Sequence, residues 1–305
     1  MTSGTLPPAP FGRVLTAMVT PFHDDGSVDL ESAARVAEHL ADHGHDGVVV
    51  SGTTGESPTT TTEEDGRILR AVVEAVGDRL TVVAGVGTNN TAHSVELAAQ
   101  AEKVGADGLL LVTPYYNKPT QPGVAAHFEA VASASSLPVM LYDIPGRTGV
   151  AIAEDTYRRV AQHPHIVAVK DAVGDLFRGV RIMADTGLAF YSGDDVLNLG
   201  WLTHGACGIV SVVGHVAGDR YRTMVDAVDR GDLPTALATY RDLVPVVTAI
   251  MTTAQGAMTA KAALELLGVL PNRNVRLPLV PADEALVAHL RDVLETAGIL
   301  TEGSA

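Results

Sequence analysis

The chain has 305 residues, 46% of them hydrophobic, with 36 acidic side chains against 21 lysines and arginines and a formal net charge of −15. That balance argues against a nucleic-acid or anionic-membrane surface, since both reward clustered cations through counterion release. A single cysteine, Cys207, excludes an internal disulfide and fits a reducing cytoplasm. No apolar run approaches the roughly 18 residues of a membrane-spanning helix, and Met1 to Pro10 carry neither a basic head nor an apolar stretch, so no secretory signal is expected.

Short apolar, β-branched runs end near Thr20, Ser51, Gly87, Thr113, Tyr142, Lys170, Gly193 and Ser211. Helical periodicity fills the intervals. The clearest stripe is Leu30, Ala33, Ala34, Ala37, Leu40 and Ala41, with Asp29 as N-cap and Gly44 just past the end. Alternating strands and helices make a parallel sheet, and eight such units fill a closed (β/α)8 TIM barrel, whose typical size of about 250 residues suits this length. The rival is an open doubly wound sheet, but Gly85-Val86-Gly87-Thr88-Asn89-Asn90 lacks the third glycine of the dinucleotide fingerprint. After Gly231 the strand signals stop, and Leu233 to Thr252, Ala257 to Leu267 and Ala282 to Ala297 read as helices. The expected division is a barrel over 1–230 that carries the chemistry, and a C-terminal helical extension over 231–305.

Lys170 is the anomalous residue. Lys103, Lys118 and Lys261 sit in helical or turn-like polar contexts where solvation accounts for them, whereas Lys170 closes the apolar run that starts at His165. Burying an ammonium costs several kcal/mol, and a depressed pKa answers it, leaving a nucleophilic amine at neutral pH. The alternative is a strand-end lysine that snorkels into water or pairs with Asp171.

Barrel sites are built where the strands end, and the chemical residues collect there. Gly52-Thr53-Thr54-Gly55-Glu56-Ser57 follows the second run and Pro114-Tyr115-Tyr116-Asn117 the fourth. Tyr142 closes the fifth, ahead of Asp143-Ile144-Pro145-Gly146-Arg147-Thr148-Gly149, and Gly193-Asp194-Asp195 follows the seventh. In the Gly-Thr-Thr-Gly turn, successive amides suit a carboxylate and the hydroxyls both donate and accept; an ordinary capping loop is the alternative. The Arg147 fork fits a carboxylate, or a surface ion pair. Tyr142 is placed to pass protons, or is a core tyrosine. Tyr115 and Tyr116, being adjacent, point apart in extended chain.

Together these groups describe Schiff-base chemistry on a 2-oxo acid, with no metal or cofactor required. A metal-dependent barrel hydrolase is the reading that eleven histidines prompt. His43, His45, His163 and His165 fall at the end away from the rim, however, where helix-end histidines are expected. A non-catalytic binding barrel would form no lysine adduct.

In order and approximate spacing, Gly52 to Ser57, the Tyr-Tyr-Asn after Pro114, Ile144 to Gly149, Val169-Lys170-Asp171 and Ser192 to Asp195 resemble dihydrodipicolinate synthases. These belong to the pyruvate-aldolase superfamily that includes N-acetylneuraminate lyase. The resemblance runs from Thr16 to the helical tail. It implies that Lys170 forms the Schiff base with pyruvate, that Tyr142, Thr54 and Tyr116 form a proton relay, and that Tyr116 enters from a neighbouring subunit. Thr53 and Thr54 would hold the pyruvate carboxylate, Arg147 would bind aspartate 4-semialdehyde, and Gly193 and Val210 would line the pocket through backbone groups. The product would be 4-hydroxy-tetrahydrodipicolinate for the lysine and diaminopimelate pathway, made by a cytoplasmic homotetramer, a dimer of dimers. A sugar-acid aldolase is the alternative within the superfamily, although such relatives generally lack an arginine at the Arg147 position.

Two departures stand out. Members inhibited by lysine carry two histidines and a glutamate where this chain has Thr62, Asp65 and His93, while Ser57, Asn89 and Tyr115 remain; weak or absent feedback inhibition is expected. Asp143 replaces a common asparagine.

Overall fold

The computed structural model describes residues 8–300; the two ends of the chain, including most of the Met1 to Pro10 stretch and the close of the 231–305 segment, lie outside the described residues. Eight parallel strands close into a barrel in chain order. They are β1 (Val14–Ala17), β2 (Gly47–Val50), β3 (Thr81–Gly85), β4 (Gly108–Val112), β5 (Val139–Asp143), β6 (Ile166–Asp171), β7 (Ala189–Ser192) and β8 (Gly208–Ser211). The expected barrel is therefore observed and the open sheet is not, because β1 pairs with both β2 and β8. Two runs end early: β1 stops at Ala17 rather than near Thr20, and β3 at Gly85 rather than Gly87.

The strands alternate with α1 (Leu30–Asp42), α2 (Thr62–Val76), α3 (Thr91–Val104), α4 (Gln121–Ala132), a single turn α5 (Pro145–Thr148), α6 (Glu154–Val160), α7 (Leu176–Thr186), α8 (Asn198–Thr203) and α9 (Gly214–Asp229). Asp29 caps α1 as its residue type suggests, accepting from the Ser32 amide, and Thr61 with Glu64 forms a reciprocal capping box on α2. Beyond Gly231 come α10 (Leu233–Met251), α11 (Gly256–Leu266) and α12 (Glu284–Thr296). Among the described residues no single helix is long and apolar enough to cross a membrane.

Period-two alternation divides the strand side chains between two cores. Leu15, Val49, Val83, Leu110, Met140, Ala168, Tyr191 and Val210 fill the barrel interior, with Phe11 among them. Val48, Val82, Leu109, Leu141, Val169 and Phe190 face the helical layer. Tyr191 accepts a hydrogen bond from the Phe11 amide at 3.0 Å, and Cys207 is buried beside it. Between β5 and β6 the register shifts: Val139 pairs with Ile166 but Met140 with Ala168, so Val167 is skipped. That slip turns Ala168, and with it Lys170, toward the interior.

Candidate active site

Lys170 is the penultimate residue of β6, register partner of Tyr142 on β5 and of Tyr191 on β7. It sits inside the barrel mouth and is only 5% exposed. Burial pushes its pKa down from the ordinary lysine range to about 8; Arg147 acts in the same direction, and the Asp195 carboxylate opposes both. Asp171 does not pair with it. Being the next residue on the strand, it faces the helices, where its Oδ1 accepts from the amides of Val173 (3.0 Å) and Gly174 (3.1 Å).

Tyr142 lies under the amine, with Lys170 Nζ 4.3 Å from its ring centre. Burial pushes the phenol up to about 12, with Arg147 opposing, so the hydroxyl stays protonated through neutral pH. Gly193, just after β7, has a steric reason to be glycine. A Cβ there would stand 2.8 Å from Lys170 Cγ and 2.9 Å from the Asp171 carbonyl oxygen, so any side chain would displace the lysine stem.

A cavity of about 380 Å³ brings together Thr53, Thr54, Tyr142, Arg147, Lys170 and Gly193. Tyr142, Arg147 and Thr53 also border an outer cavity of about 870 Å³ that reaches Ser57, Tyr115 and Tyr116. The volume suits two small polar molecules meeting at an amine. The ends of β2, β5, β6 and β7 converge on this point, as the barrel rim predicts.

Arg147 sits on α5, held out by the Pro145 turn, and is exposed. Tyr116 lies apart from the amine: its backbone is left-handed, φ +73°, and its side chain is 88% exposed at the outer cavity. Val210 is a barrel-core side chain, 2% exposed. Val212, two residues on, lines the inner cavity.

The strand-end rule missed Met251 and Thr252, and it included Asp195 without giving it a role. Met251 and Thr252, at the end of α10, close one wall of the inner cavity; nothing in their local sequence marks them. Asp195 is buried and accepts from the Tyr221 hydroxyl at 2.8 Å and from the amides of Val212 and Val213 at 2.8 and 3.2 Å, besides Ser211 Oγ. Its carboxylate is thus fixed by the β8 turn within electrostatic reach of the amine.

The expectation for Lys261 is overturned. It is wholly buried on α11, paired with Glu56. Asp143, by contrast, leaves Tyr142 alone. It points outward, accepting from the Tyr157 hydroxyl at 3.0 Å and from the Ile152 amide at 3.2 Å. His45 bonds Thr16 Oγ1 at 2.8 Å and the Leu40 carbonyl at 2.9 Å, and among the described residues no group of three or more His, Cys, Asp or Glu is placed to hold a metal ion.

The sequence profile described as the dihydrodipicolinate synthetase family matches residues 10–297. The chain belongs to that family. The 4-hydroxy-tetrahydrodipicolinate synthase of Kineococcus radiotolerans is 61% identical over 293 residues, covering 96% of this chain and 95% of that protein. Among solved structures, the synthase of Cyanidioschyzon merolae with lysine bound superposes at a TM-score of 0.92, with 42% identity over 95% of this chain and 99% of that one. The chloride-inhibited synthase of Acinetobacter baumannii complexed with pyruvate gives 0.90, with 35% identity over 96% and 100%. As a dihydrodipicolinate synthetase family member, the chain is a lyase-type enzyme built on the barrel described above.

Proposed function

We propose that Lys170 is the Schiff-base nucleophile and that the enzyme condenses pyruvate with aspartate 4-semialdehyde to give 4-hydroxy-tetrahydrodipicolinate. The observation that carries this reading is a single cavity joining a buried amine of lowered pKa to Tyr142, Thr53, Thr54 and Arg147.

The uncharged Nζ attacks the pyruvate ketone, and loss of water leaves an iminium whose electron demand acidifies the methyl carbon. Removal of that proton gives an enamine. Its carbon adds to the aldehyde, the substrate's own amine closes onto the iminium carbon, and Lys170 departs as the free amine. One water is released overall. Tyr142, with Thr54 and the Tyr116 of a neighbouring copy, moves the protons; Thr53 and Thr54 hold the pyruvate carboxylate, Gly193 and Val210 line the pocket through their backbones, and Arg147 takes the carboxylate of the second substrate.

A cytoplasmic homotetramer is the assembly this reading calls for, since an 88% exposed Tyr116 at the outer cavity has most to do when it reaches into another subunit. Chemistry is expected to sit within 1–230 and the helical extension in 231–305.

Borohydride reduction in the presence of pyruvate tests the proposal. A stable adduct should map to Lys170 by mass spectrometry and vanish in Lys170→Ala, and a coupled assay with both substrates should show turnover. An adduct at another lysine, or none, would sink it.

A further inference from the structure

Glu56 directly follows Thr53-Thr54-Gly55, and its backbone is left-handed at φ +58°, a conformation that a non-glycine residue keeps only when its surroundings over-determine it. Those surroundings come from the far end of the chain. Lys261 Nζ donates to Glu56 Oε1 at 2.5 Å and to the Asn274 carbonyl at 2.7 Å. The other carboxylate oxygen accepts from the Arg276 amide at 2.9 Å. Arg276 then ties its guanidinium to Glu64 Oε1 at 2.6 Å and to the carbonyls of Gly26 and Thr59 at 2.7 and 2.8 Å. Both cations rest on the ring of Phe22, Nζ at 4.3 Å and the guanidinium carbon at 4.5 Å.

A buried ion pair is a poor device for stability, because desolvation offsets most of its attraction and apolar residues of the same volume do as well. Its use here is local. The Glu56 amide donates to the Thr53 carbonyl at 3.1 Å, and the next amide, Ser57, donates to the Gly52 carbonyl at 3.3 Å. The turn that faces the cavity is therefore one hydrogen bond away from a residue whose carboxylate is held by two donors, Lys261 Nζ and the Arg276 amide, neither of them from the barrel strands. Gly55 is packed so closely that a Cβ would meet the Met18 carbonyl oxygen and the Ser51 backbone at 3.2 Å, so the turn lies tightly against the backbone that follows β1 and β2.

We propose that the Glu56–Lys261 pair, seated on Phe22 beside Arg276, is the anchor that aims the Thr53–Thr54 turn at the pyruvate carboxylate, making Glu56 and Lys261 positioning residues of the reaction. The inference rests on the proposed role of Thr53 and Thr54. Reaction rates are steep in such placement, and a displacement near 1 Å is enough for a loss of about a hundredfold.

The double variant Glu56→Gln/Lys261→Met tests it, because it removes both charges and leaves neither buried alone. Steady-state kinetics are normalised to active sites counted by borohydride-trapped pyruvate. The KM for pyruvate should rise at least tenfold while the KM for aspartate 4-semialdehyde changes less than twofold. A purely structural pair would lower the number of active sites and leave both KM values where they were, which overturns the proposal. If the double variant does not fold, Glu56→Asp carries the same comparison: it keeps the charge but draws the carboxylate back by one methylene. A severalfold rise in pyruvate KM supports the anchor and an unchanged value overturns it. Absence of any adduct in the unaltered protein is read first, and it overturns the Schiff-base reading beneath both.

Discussion

Lys170 Nζ stands 4.3 Å above the ring centre of Tyr142, its register partner on the neighbouring strand. Removing the phenol oxygen keeps the ring that supports the amine and deletes only the hydroxyl proposed to carry protons. Tyr142→Phe should therefore melt within a few degrees of the unaltered protein, while kcat falls about 100-fold, the usual weight of a general acid–base group. A kcat within twofold of the unaltered enzyme would remove Tyr142 from the relay.

The lowered pKa of Lys170, about 8, leaves about one amine in ten uncharged at pH 7, against about one in 3,000 for an ordinary lysine. Adduct formation at limiting pyruvate should rise nearly tenfold per pH unit below pH 7 and level off above pH 8. The same shift sets a stability signature. With the folded pKa below the unfolded one, the unfolded chain binds more protons between pH 8 and 10.5, so stability rises with pH across that window and the charged amine is fully destabilising below it. Lys170→Met should gain on the order of 3 kcal/mol at pH 7, an advantage that shrinks toward pH 10.5. Urea unfolding at the two pH values measures it.

Arg147 is exposed at the cavity mouth, out on α5. Arg147→Ala should raise the KM for aspartate 4-semialdehyde at least tenfold and leave the yield of trapped pyruvate adduct within twofold. Equal loss of both would assign the guanidinium to the first substrate.

Asp143, the last residue of β5, is buried with its pKa raised to about 7, chiefly by burial, with the Tyr157 hydroxyl and Ile152 amide opposing. A raised folded pKa means that the stabilising contribution is whole below about pH 4 and is lost as the pH climbs through 7. Asp143→Asn keeps one oxygen that can accept from both donors and does not ionise. It should flatten the stability profile between pH 4 and 7 and be the more stable protein at pH 8, by at most about 4 kcal/mol. Urea midpoints at pH 5 and pH 8 decide the matter.

Lysine should inhibit weakly or not at all. Thr62 Oγ1 is occupied with His93 Nε2 at 3.0 Å, and the nearby carboxylate, Asp65, is bonded to Thr60 Oγ1 at 2.7 Å with its pKa raised by burial. Neither arrangement offers an exposed anion to a cationic amine. Activity unchanged in about 1 mM lysine is the expected result; a sharp fall at sub-millimolar concentration would show another acid doing that work.

Most of the barrel was legible because its signals are local. Apolar runs of a few residues, each followed by a helical stripe, define eight units, and the rim rule then singles out Thr53, Tyr142, Arg147 and Lys170. Lys261 was illegible for the opposite reason. Its partner is 205 positions away, and a lone charge on a helix reads as a solvated one. The available clue was its company: Ala260, Ala262, Ala263 and Leu264 flank it on both sides, and all are buried. Val167 was likewise hidden, since a skipped residue leaves no trace in composition.

The pairing of Glu56 with Lys261 also orders events during synthesis. All eight strands, the last ending at Ser211, are synthesised before Lys261 and Arg276. On the proposed anchor, any barrel that closes ahead of the last helices holds the Glu56 carboxylate without its cation, and the turn reaches its final setting when those helices dock.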